Sequence, residues 1–336
     1  LRNKTDLKLV SNKIKYAGEK TLSEYLENEL LQGVDVKKQS AIYIRRIVNT
    51  HLYLLRSLEI LNTSNVLHLD IKANNIILDK EKQHPIIIDF GLSYNKDLLN
   101  IATYKEKEKT PFGINTKYYI PWCIEVILLS HIARYLMNIK NKKIIDENKE
   151  RKIIDEKEIA ILHTILSDYM RENTIIKMSV FTDDERESYN KIMMDWINSM
   201  RGKTWIEIWT NVSSTNNSWD NYSVAMMYLM ELNISGLLEI SKKTSEDFLN
   251  QYITELKQTV LSSPNNRKTP EKTKETFKKM FSKISKKNHM ERVKSLSLII
   301  NDNTNLKNMK KLRTAHENDS VQNEQYMRKK LTSKII

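Results

Sequence analysis

The most informative part of the sequence reads His68-Leu69-Asp70-Ile71-Lys72-Ala73-Asn74-Asn75, followed by Asp89-Phe90-Gly91. Between the two runs lie short apolar segments at 75–78 and 85–89, joined by a polar stretch at 79–83. Short apolar segments bounded by polar clusters predict β-strands, and the short connection predicts that they pair as a hairpin. The two polar runs then flank this hairpin, and their loop ends meet across it.

The polar residues of these runs suit the transfer of a phosphoryl group. Asp70 offers a carboxylate that could accept a hydroxyl proton, and Lys72 offers a charge that could neutralise the transferring group. Asn75 and Asp89 offer the hard oxygen ligands that Mg²⁺ prefers when it also holds nucleotide phosphates. Each run alone arises easily by chance. In this order, with Asp70 and Asp89 19 residues apart, they predict a phosphoryl-transfer site.

Both runs resemble the catalytic loop and the magnesium loop of the eukaryotic-type protein kinase superfamily. The resemblance implies a protein-kinase-like α+β fold, seen here mostly as the helical large lobe with a small hairpin in the cleft. It implies ATP and Mg²⁺ as cofactors, with Asp70 and Lys72 catalytic and with Asn75 and Asp89 holding the metal. Lys72, two residues after Asp70, follows the pattern of serine/threonine kinases. The implied partner is a protein substrate with a Ser or Thr acceptor.

The same resemblance extends to the residues that would hold the nucleotide. The run 14–18 resembles the hinge that binds adenine, with a gatekeeper residue at its start and backbone groups facing the base. One apolar residue of the first hairpin strand would pack beneath the adenine ring. The residues expected to bind the cofactor are Ile14, Lys15, Tyr16, Ala17 and Ile77.

Two later segments resemble other parts of the large lobe. The run that begins Trp219-Asp220 resembles the start of its buried helix, whose aspartate caps the backbone of the catalytic loop. Arg267 lies in a run that resembles the late loop whose arginine pairs with the glutamate closing the activation segment. Glu125 is the expected partner, although Pro121-Trp122 resembles a degenerate form of the same motif. Arg267→Ala is then expected to lower stability substantially, and Lys268→Ala to do little.

Three departures from the family pattern carry predictions. Leu69 stands where the usual catalytic loop has an arginine, which argues against control by a phosphate on the activation segment. Residues 126–213 form a long helix-rich insertion that resembles those in kinases of large DNA viruses. The chain begins just before the hinge, so we expect an N-terminally truncated kinase, inactive alone, without the glycine-rich loop and the phosphate-holding lysine. Tyr118 and Tyr119 are expected to pack within the activation segment.

These features predict three regions. Residues 1–18 would be a remnant of the small lobe with the hinge, 19–280 the large lobe with its insertion at 126–213, and 281–336 a basic, mobile tail. Of the net charge of +13, residues 265–336 carry +12, from 19 Lys or Arg against 7 Asp or Glu. The body of the chain is therefore close to neutral, and nucleic acid is not expected as a partner except through the basic tail.

Helical spacing of apolar residues predicts the main helices. One helix is expected at 21–31, where Thr21 and Glu24 form a capping box. A long core-facing helix is expected at 38–62, and an almost continuous apolar pattern predicts a helix buried on most sides at 219–232.

Two other functions stay open at this point. A small-molecule kinase of the choline or aminoglycoside type shares the H-x-D-x-x-x-x-N pattern, but commonly has histidine where this chain has Lys72. A pseudokinase or scaffold is the second alternative, against which the intact polar residues of the site argue. The single cysteine, Cys123, excludes a disulfide framework and favours a reducing compartment, so we expect a cytoplasmic protein, or a virion component if it is viral.

Overall fold

A computed structural model describes residues 18, 20–31, 36–79, 84–100, 119, 121–136, 151–235, 237–238 and 247–282. Most of these residues are helical. The expected hinge residues 14–17, Tyr118 and the expected tail beyond 282 lie outside the described residues. None of the described helices is both long enough and apolar enough to cross a membrane.

Four short strands frame the loops that carry the polar runs. They are β1 (Val66–Leu67), β2 (Ile76–Leu78), β3 (Pro85–Ile87) and β4 (Tyr94–Asn95). β2 and β3 form the predicted antiparallel hairpin, with Ile76 opposite Ile87, and β1 pairs with β4. The loop from β1 to β2 and the loop from β3 to β4 therefore run side by side between the same two strand pairs. The β1–β4 pair was not predicted, because strands of two residues are too short to show an alternating pattern.

The two N-terminal helices form as predicted. α1 spans Leu22–Leu31, and a capping box precedes it, in which Thr21 N donates to Glu24 Oε2 at 2.8 Å and Glu24 N donates to Thr21 Oγ1 at 3.3 Å. α2 spans Val36–Thr63, slightly more than the predicted 38–62, because apolar periodicity marks only the turns that face the core.

Further helices follow in the second part of the chain. They are α3 (Ile124–Leu136), α4 (Glu156–Glu172), α5 (Thr174–Lys177), α6 (Asp183–Asn198), α7 (Trp205–Ser213), α8 (Trp219–Ile234), α9 (Asp247–Leu261) and α10 (Pro270–Ser282). The described part of 126–213 is thus rich in helix, as expected. α10 runs to Ser282, two residues into the region assigned to the tail.

α8 lies at the centre of the core. Every residue of this helix except Asn233 is buried, as the continuous apolar pattern predicts. It packs against α2 and α9, and α10 packs against α2. Its first turn reaches the loop between β1 and β2, so the most buried helix of the fold supports the candidate site.

Candidate active site

The loop between β1 and β2 is anchored to α8 by one carboxylate. Asp220, in the first turn of α8, accepts hydrogen bonds from the backbone N–H groups of His68 and Leu69 at 2.8 and 2.9 Å. Burial raises the pKa of Asp220, and these two donors oppose that rise because they favour the ionised carboxylate. The expected backbone cap by Asp220 is confirmed.

His68 connects the two loops of the site. Its Nδ1 accepts from the Asp70 N–H at 3.2 Å, which places the ring proton on Nε2, and Nε2 donates to the Ile88 carbonyl at 3.1 Å. Burial lowers the pKa of His68, so the ring is neutral at neutral pH. The Phe90 ring packs against it at a centroid distance of 4.8 Å and is itself 48% exposed.

The carboxylate of Asp70 is buried among polar neighbours. Asn75 Nδ2 donates to Asp70 Oδ2 at 2.7 Å and to the Asp70 carbonyl at 3.0 Å. Lys72 Nζ lies 3.5 Å from Asp70 Oδ1, and the Tyr119 hydroxyl donates to the same oxygen. Burial raises the pKa of Asp70 to about 6, although the Lys72 charge and the Asn75 amide act in the opposite direction. Such a carboxylate is largely ionised at neutral pH and still basic enough to accept a proton.

Asn75 and Asp89 lie at the same end of the β2–β3 hairpin. Asn75 ends a 3₁₀ turn before β2, and its carbonyl accepts the Ile88 N–H at 2.9 Å. Both amide hydrogens of Asn75 are directed at Asp70, so its side-chain oxygen faces away from that carboxylate. Asp89 has a left-handed backbone with φ of 61° and an exposed side chain, whose Oδ1 accepts from the Gly91 N–H at 3.2 Å. An amide oxygen and an open carboxylate suit Mg²⁺, which takes its remaining ligands from water and phosphate.

The chain that follows the expected hinge lies against β2. Ile77 is half-buried and pairs with Thr21 through a single β-bridge. Gly18 approaches this strand so closely that a Cβ built on it would lie 2.2 Å from the Leu78 carbonyl oxygen and 2.9 Å from Ile77 Cγ2. Only glycine fits such an approach. Residues 14–17 lie outside the described residues, but the chain that leaves them contacts Ile77.

Tyr119 and Trp122 contact the loop between β1 and β2 at two points. Trp122 Nε1 donates to the Leu69 carbonyl at 2.6 Å, and the Tyr119 hydroxyl donates to Asp70. The two aromatic rings meet edge to face at a centroid distance of 5.3 Å. A buried indole N–H usually finds an acceptor. The sequence does not show which acceptor, so neither contact was predicted.

Glu125 is the partner of Arg267, as the sequence predicts. Arg267 Nη1 donates to Glu125 Oε1, and Arg267 Nη2 donates to Glu125 Oε2 at 3.3 Å. The expectation that Lys268→Ala does little did not take Glu255 into account: Lys268 Nζ lies 2.6 Å from Glu255 Oε1, whose side chain is nearly buried. Arg267 and Lys268 therefore each neutralise a different buried carboxylate.

Comparison with known families agrees with this geometry. Residues 14–119 match the sequence profile of the protein kinase domain. This segment is therefore similar to the eukaryotic-type protein kinase superfamily. The match covers the expected hinge, the hairpin and both loops of the candidate site, and it ends at Tyr119.

Two curated proteins that are named as protein kinases are similar to this chain over a short stretch. The chain is 39% identical over 71 residues to dual specificity protein kinase zakA of Dictyostelium discoideum, which is 21% of this chain and 9% of that protein. It is 32% identical over 77 residues to a protein kinase and PP2C-like domain-containing protein of Oryza sativa subsp. japonica, covering 22% and 12%. The chain thus spans about a tenth of the length of these relatives.

The structure brings most of the predicted kinase-site residues together. Asp70, Lys72 and Asn75 are in direct contact. Asp89 follows β3, which pairs with β2, the strand that begins just after Asn75. Ile77 lies on that same hairpin. Four predicted nucleotide-binding residues, Ile14, Lys15, Tyr16 and Ala17, are outside the described residues.

Proposed function

We propose that this chain is the large-lobe part of an ATP-dependent serine/threonine protein kinase, which transfers the γ-phosphoryl group of ATP to Ser or Thr hydroxyls of a protein. The observation that carries the proposal is the buried Asp70 carboxylate, which is held by Asn75 and lies beside Lys72. Asp220 anchors its loop to the core, and Asp89 presents an open carboxylate at the neighbouring strand end.

Each of these residues has a role in an in-line transfer. The acceptor hydroxyl oxygen forms a bond to the γ-phosphorus while the bond to the ADP oxygen breaks, and Asp70 takes the hydroxyl proton. Lys72 neutralises charge on the transferring group from its place next to Asp70. Asn75 and Asp89 would hold Mg²⁺, which when bound neutralises the phosphate oxygens. Most of the rate then comes from positioning and electrostatics.

The nucleotide base is assigned to the other end of the hairpin. The backbone of residues 14–17 would hydrogen-bond adenine, and Ile77 would pack beneath the ring. The close approach of Gly18 to Ile77 and Leu78 supports this assignment, because it brings the end of the hinge segment to β2.

The finer features of the protein are part of the same proposal. Lys72 favours Ser and Thr over Tyr acceptors, although one relative is named as a dual specificity kinase. We assign 1–18 to the small lobe and hinge, 19–280 to the large lobe with an insertion at 126–213, and 281–336 to a basic tail. Cys123 is the one cysteine in the sequence and is buried, which suits a reducing, cytoplasmic setting. The resemblance to viral kinases stays a prediction.

Calorimetric titration with Mg-ATP separates the roles of the two aspartates. Asp70→Asn should leave the affinity within about twofold of the wild type, because Asp70 acts on the acceptor; Asp89→Asn should weaken it about 10-fold or more. Asp184→Asn, an exposed site on α6, is the matched control and should change nothing. Equal losses in the Asp70 and Asp89 variants would contradict the assigned roles.

Binding of Mg-ATP, rather than turnover, is the main measurement for this chain. These 336 residues contain six glycines and no G-x-G-x-x-G run, so we expect nucleotide binding by this chain alone without robust turnover. Failure of the wild-type chain to bind Mg-ATP would favour the scaffold alternative. Where turnover is measurable, transfer to Ser and Thr peptides is expected. Transfer to choline or an aminoglycoside instead would favour the small-molecule kinase.

A further inference from the structure

Leu69 combines an unusual backbone with complete burial. Its φ is 61°, in the left-handed region that a branched, non-glycine side chain rarely adopts, and its side chain is buried. Such a conformation persists only when the surrounding structure holds it in place. The residue immediately precedes Asp70, so whatever holds Leu69 also sets the direction of the Asp70 side chain.

The peptide group between Leu69 and Asp70 is held at both of its ends. Its carbonyl, on Leu69, accepts from Trp122 Nε1 at 2.6 Å, and its N–H, on Asp70, donates to His68 Nδ1 at 3.2 Å. Because a peptide group is planar, fixing both ends fixes its orientation. The preceding peptide group is held separately, through the Leu69 N–H and Asp220.

Trp122 is itself fixed in place from the opposite side. It is 1% exposed, and its ring meets that of Tyr119. Three residues later Glu125 pairs with Arg267, and both of those side chains are fully buried. The indole therefore connects a rigid part of the core to the strained position of the catalytic loop.

We propose that Trp122 is a positioning residue for phosphoryl transfer, which acts through the Leu69 carbonyl to hold Asp70 in the orientation that receives the acceptor hydroxyl. The inference rests on the proposed function, in which Asp70 is the residue that acts on the acceptor. Leu69 stands where the usual catalytic loop has an arginine, and leucine cannot bind a phosphate on the activation segment. The indole N–H of Trp122 instead links the residues just after Tyr119 to the catalytic loop, and this link needs no phosphorylation. No other donor to the Leu69 carbonyl is present among the described residues.

Amide hydrogen exchange by NMR in the 336-residue chain tests this link. Trp122→Phe keeps a ring against Tyr119 but removes the N–H donor, and should accelerate exchange of the Asp70 amide about 10-fold, the effect of one lost buried hydrogen bond. Trp209→Phe is the matched control. Trp209 is also 1% exposed, and its Nε1 donates to a backbone carbonyl, that of Leu99, at 2.5 Å. Trp209→Phe should leave the exchange rate of the Asp70 amide within about twofold of the wild type.

A second replacement covers the case in which the smaller ring unfolds the chain. β-(3-Benzothienyl)alanine at position 122 keeps the size of the indole and replaces its N–H by sulfur, so it removes only the hydrogen bond. It should give the same local acceleration at Asp70, with exchange in the β2–β3 hairpin unchanged. Unchanged exchange at Asp70, or an equal increase in the Trp209 control, would overturn the inference.

Kinetics distinguishes failure of this inference from failure of the proposed function. In any form of the protein that turns over, Trp122→Phe should lower kcat about 10-fold while the KM for ATP stays within twofold, because the nucleotide residues are not attached to the Leu69 carbonyl. A rise in the KM for ATP with kcat unchanged would contradict a positioning role. Absence of Mg-ATP binding by the wild type would instead refute the proposed function, and the exchange measurement would still decide whether Trp122 holds the loop.

Discussion

The carboxylate of Glu125 and the guanidinium of Arg267 form a two-point ion pair with both side chains fully buried, although they lie 142 positions apart in the chain. Glu125 lies in the first turn of α3, and Arg267 precedes α10. The guanidinium also lies 4.9 Å from the ring centroid of Tyr222, on α8. The pair therefore joins three parts of the core around the helix that anchors the catalytic loop.

Removing one partner of this pair should be costly. Arg267→Ala is expected to lower the free energy of unfolding by about 3 to 5 kcal/mol, because it leaves the Glu125 carboxylate buried without a counter-charge. Urea denaturation measures the change. Arg267→Lys should recover only part of the loss, since an ammonium cannot bond a carboxylate at two points in the same geometry.

The control for this experiment follows from the structure. Lys268→Ala is unsuitable, because it would leave the nearly buried Glu255 without its partner. Lys272 is exposed on α10, the helix that follows Arg267. Lys272→Ala should therefore change stability by about 0.5 kcal/mol or less. A loss below about 1 kcal/mol in Arg267→Ala would be the value of a surface pair and would contradict the buried geometry.

Replacing both partners should be far milder than replacing one. Glu125→Leu combined with Arg267→Met removes two buried charges together, and well-packed apolar side chains in place of a buried ion pair are often nearly neutral. The double variant is expected to be more stable than either single variant, as a double-mutant cycle would show. Losses that simply add would mean that the two side chains do not interact.

Asp220 should control the order of the catalytic loop. Asp220→Ala removes the acceptor of two buried N–H groups, on His68 and Leu69, each of which costs about 1 to 3 kcal/mol when left without a partner. Asp220→Asn keeps one acceptor oxygen and should lose less. Amide exchange at Leu69 and urea denaturation measure both effects. Asp97→Ala, at an exposed carboxylate, is the control, and a matching loss there would refute the special role of Asp220.

Burial of His51 should make the protein less stable in mild acid. His51 lies on α2, and its ring is buried against α8, α9 and α10, where it stacks on Tyr228 and its Nδ1 contacts the Tyr252 hydroxyl at 2.8 Å. Burial lowers the pKa of His51 to about 3, so only the unfolded chain takes up its proton below pH 6.5. The unfolded state is then favoured as the pH falls, by about 2 kcal/mol between pH 7 and pH 5.

The comparison that isolates this effect uses His51→Phe, which keeps the ring and removes the titrating nitrogens. The free energy of unfolding is measured for both proteins at several pH values, and the difference between them should change by about 2 kcal/mol over that interval. Parallel pH profiles in the two proteins would show that His51 is not the responsible group.

The part of the site that could be predicted from sequence is the part carried by local pattern and spacing. The hairpin follows from two apolar segments and a polar turn, and the order of Asp70, Lys72, Asn75 and Asp89 follows from a motif read along the chain. Asp220 was predicted from the resemblance of the run that begins Trp219-Asp220 to the start of the buried helix in the kinase large lobe. The hairpin and the motif are local features, because residue type and spacing along the chain are enough to show them.

The remaining contacts depend on how distant segments approach each other. Trp122 reaches Leu69, and Lys268 reaches Glu255, through tertiary packing that no local pattern encodes. The left-handed backbone of Leu69 was also not predictable, because residue preference opposes it and only its neighbours impose it. Sequence shows that a buried indole or carboxylate needs a partner, but the fold selects which one.

Gly18 offers a last test, which connects the fold to nucleotide binding. A Cβ at this position would lie 2.2 Å from the Leu78 carbonyl oxygen, so Gly18→Ala must push the chain away from β2. We expect a loss of about 1 to 3 kcal/mol in stability and a weaker affinity for Mg-ATP, because the proposed hinge segment ends at this residue. Gly202→Ala is the control. Gly202 has φ of 74° with no atom within 4 Å of the added Cβ, so alanine there costs about 1 to 2 kcal/mol of backbone strain without touching the site. Calorimetry on both variants separates the effects: if Gly18→Ala binds Mg-ATP as tightly as Gly202→Ala does, residues 14–17 do not hold the nucleotide where we place it.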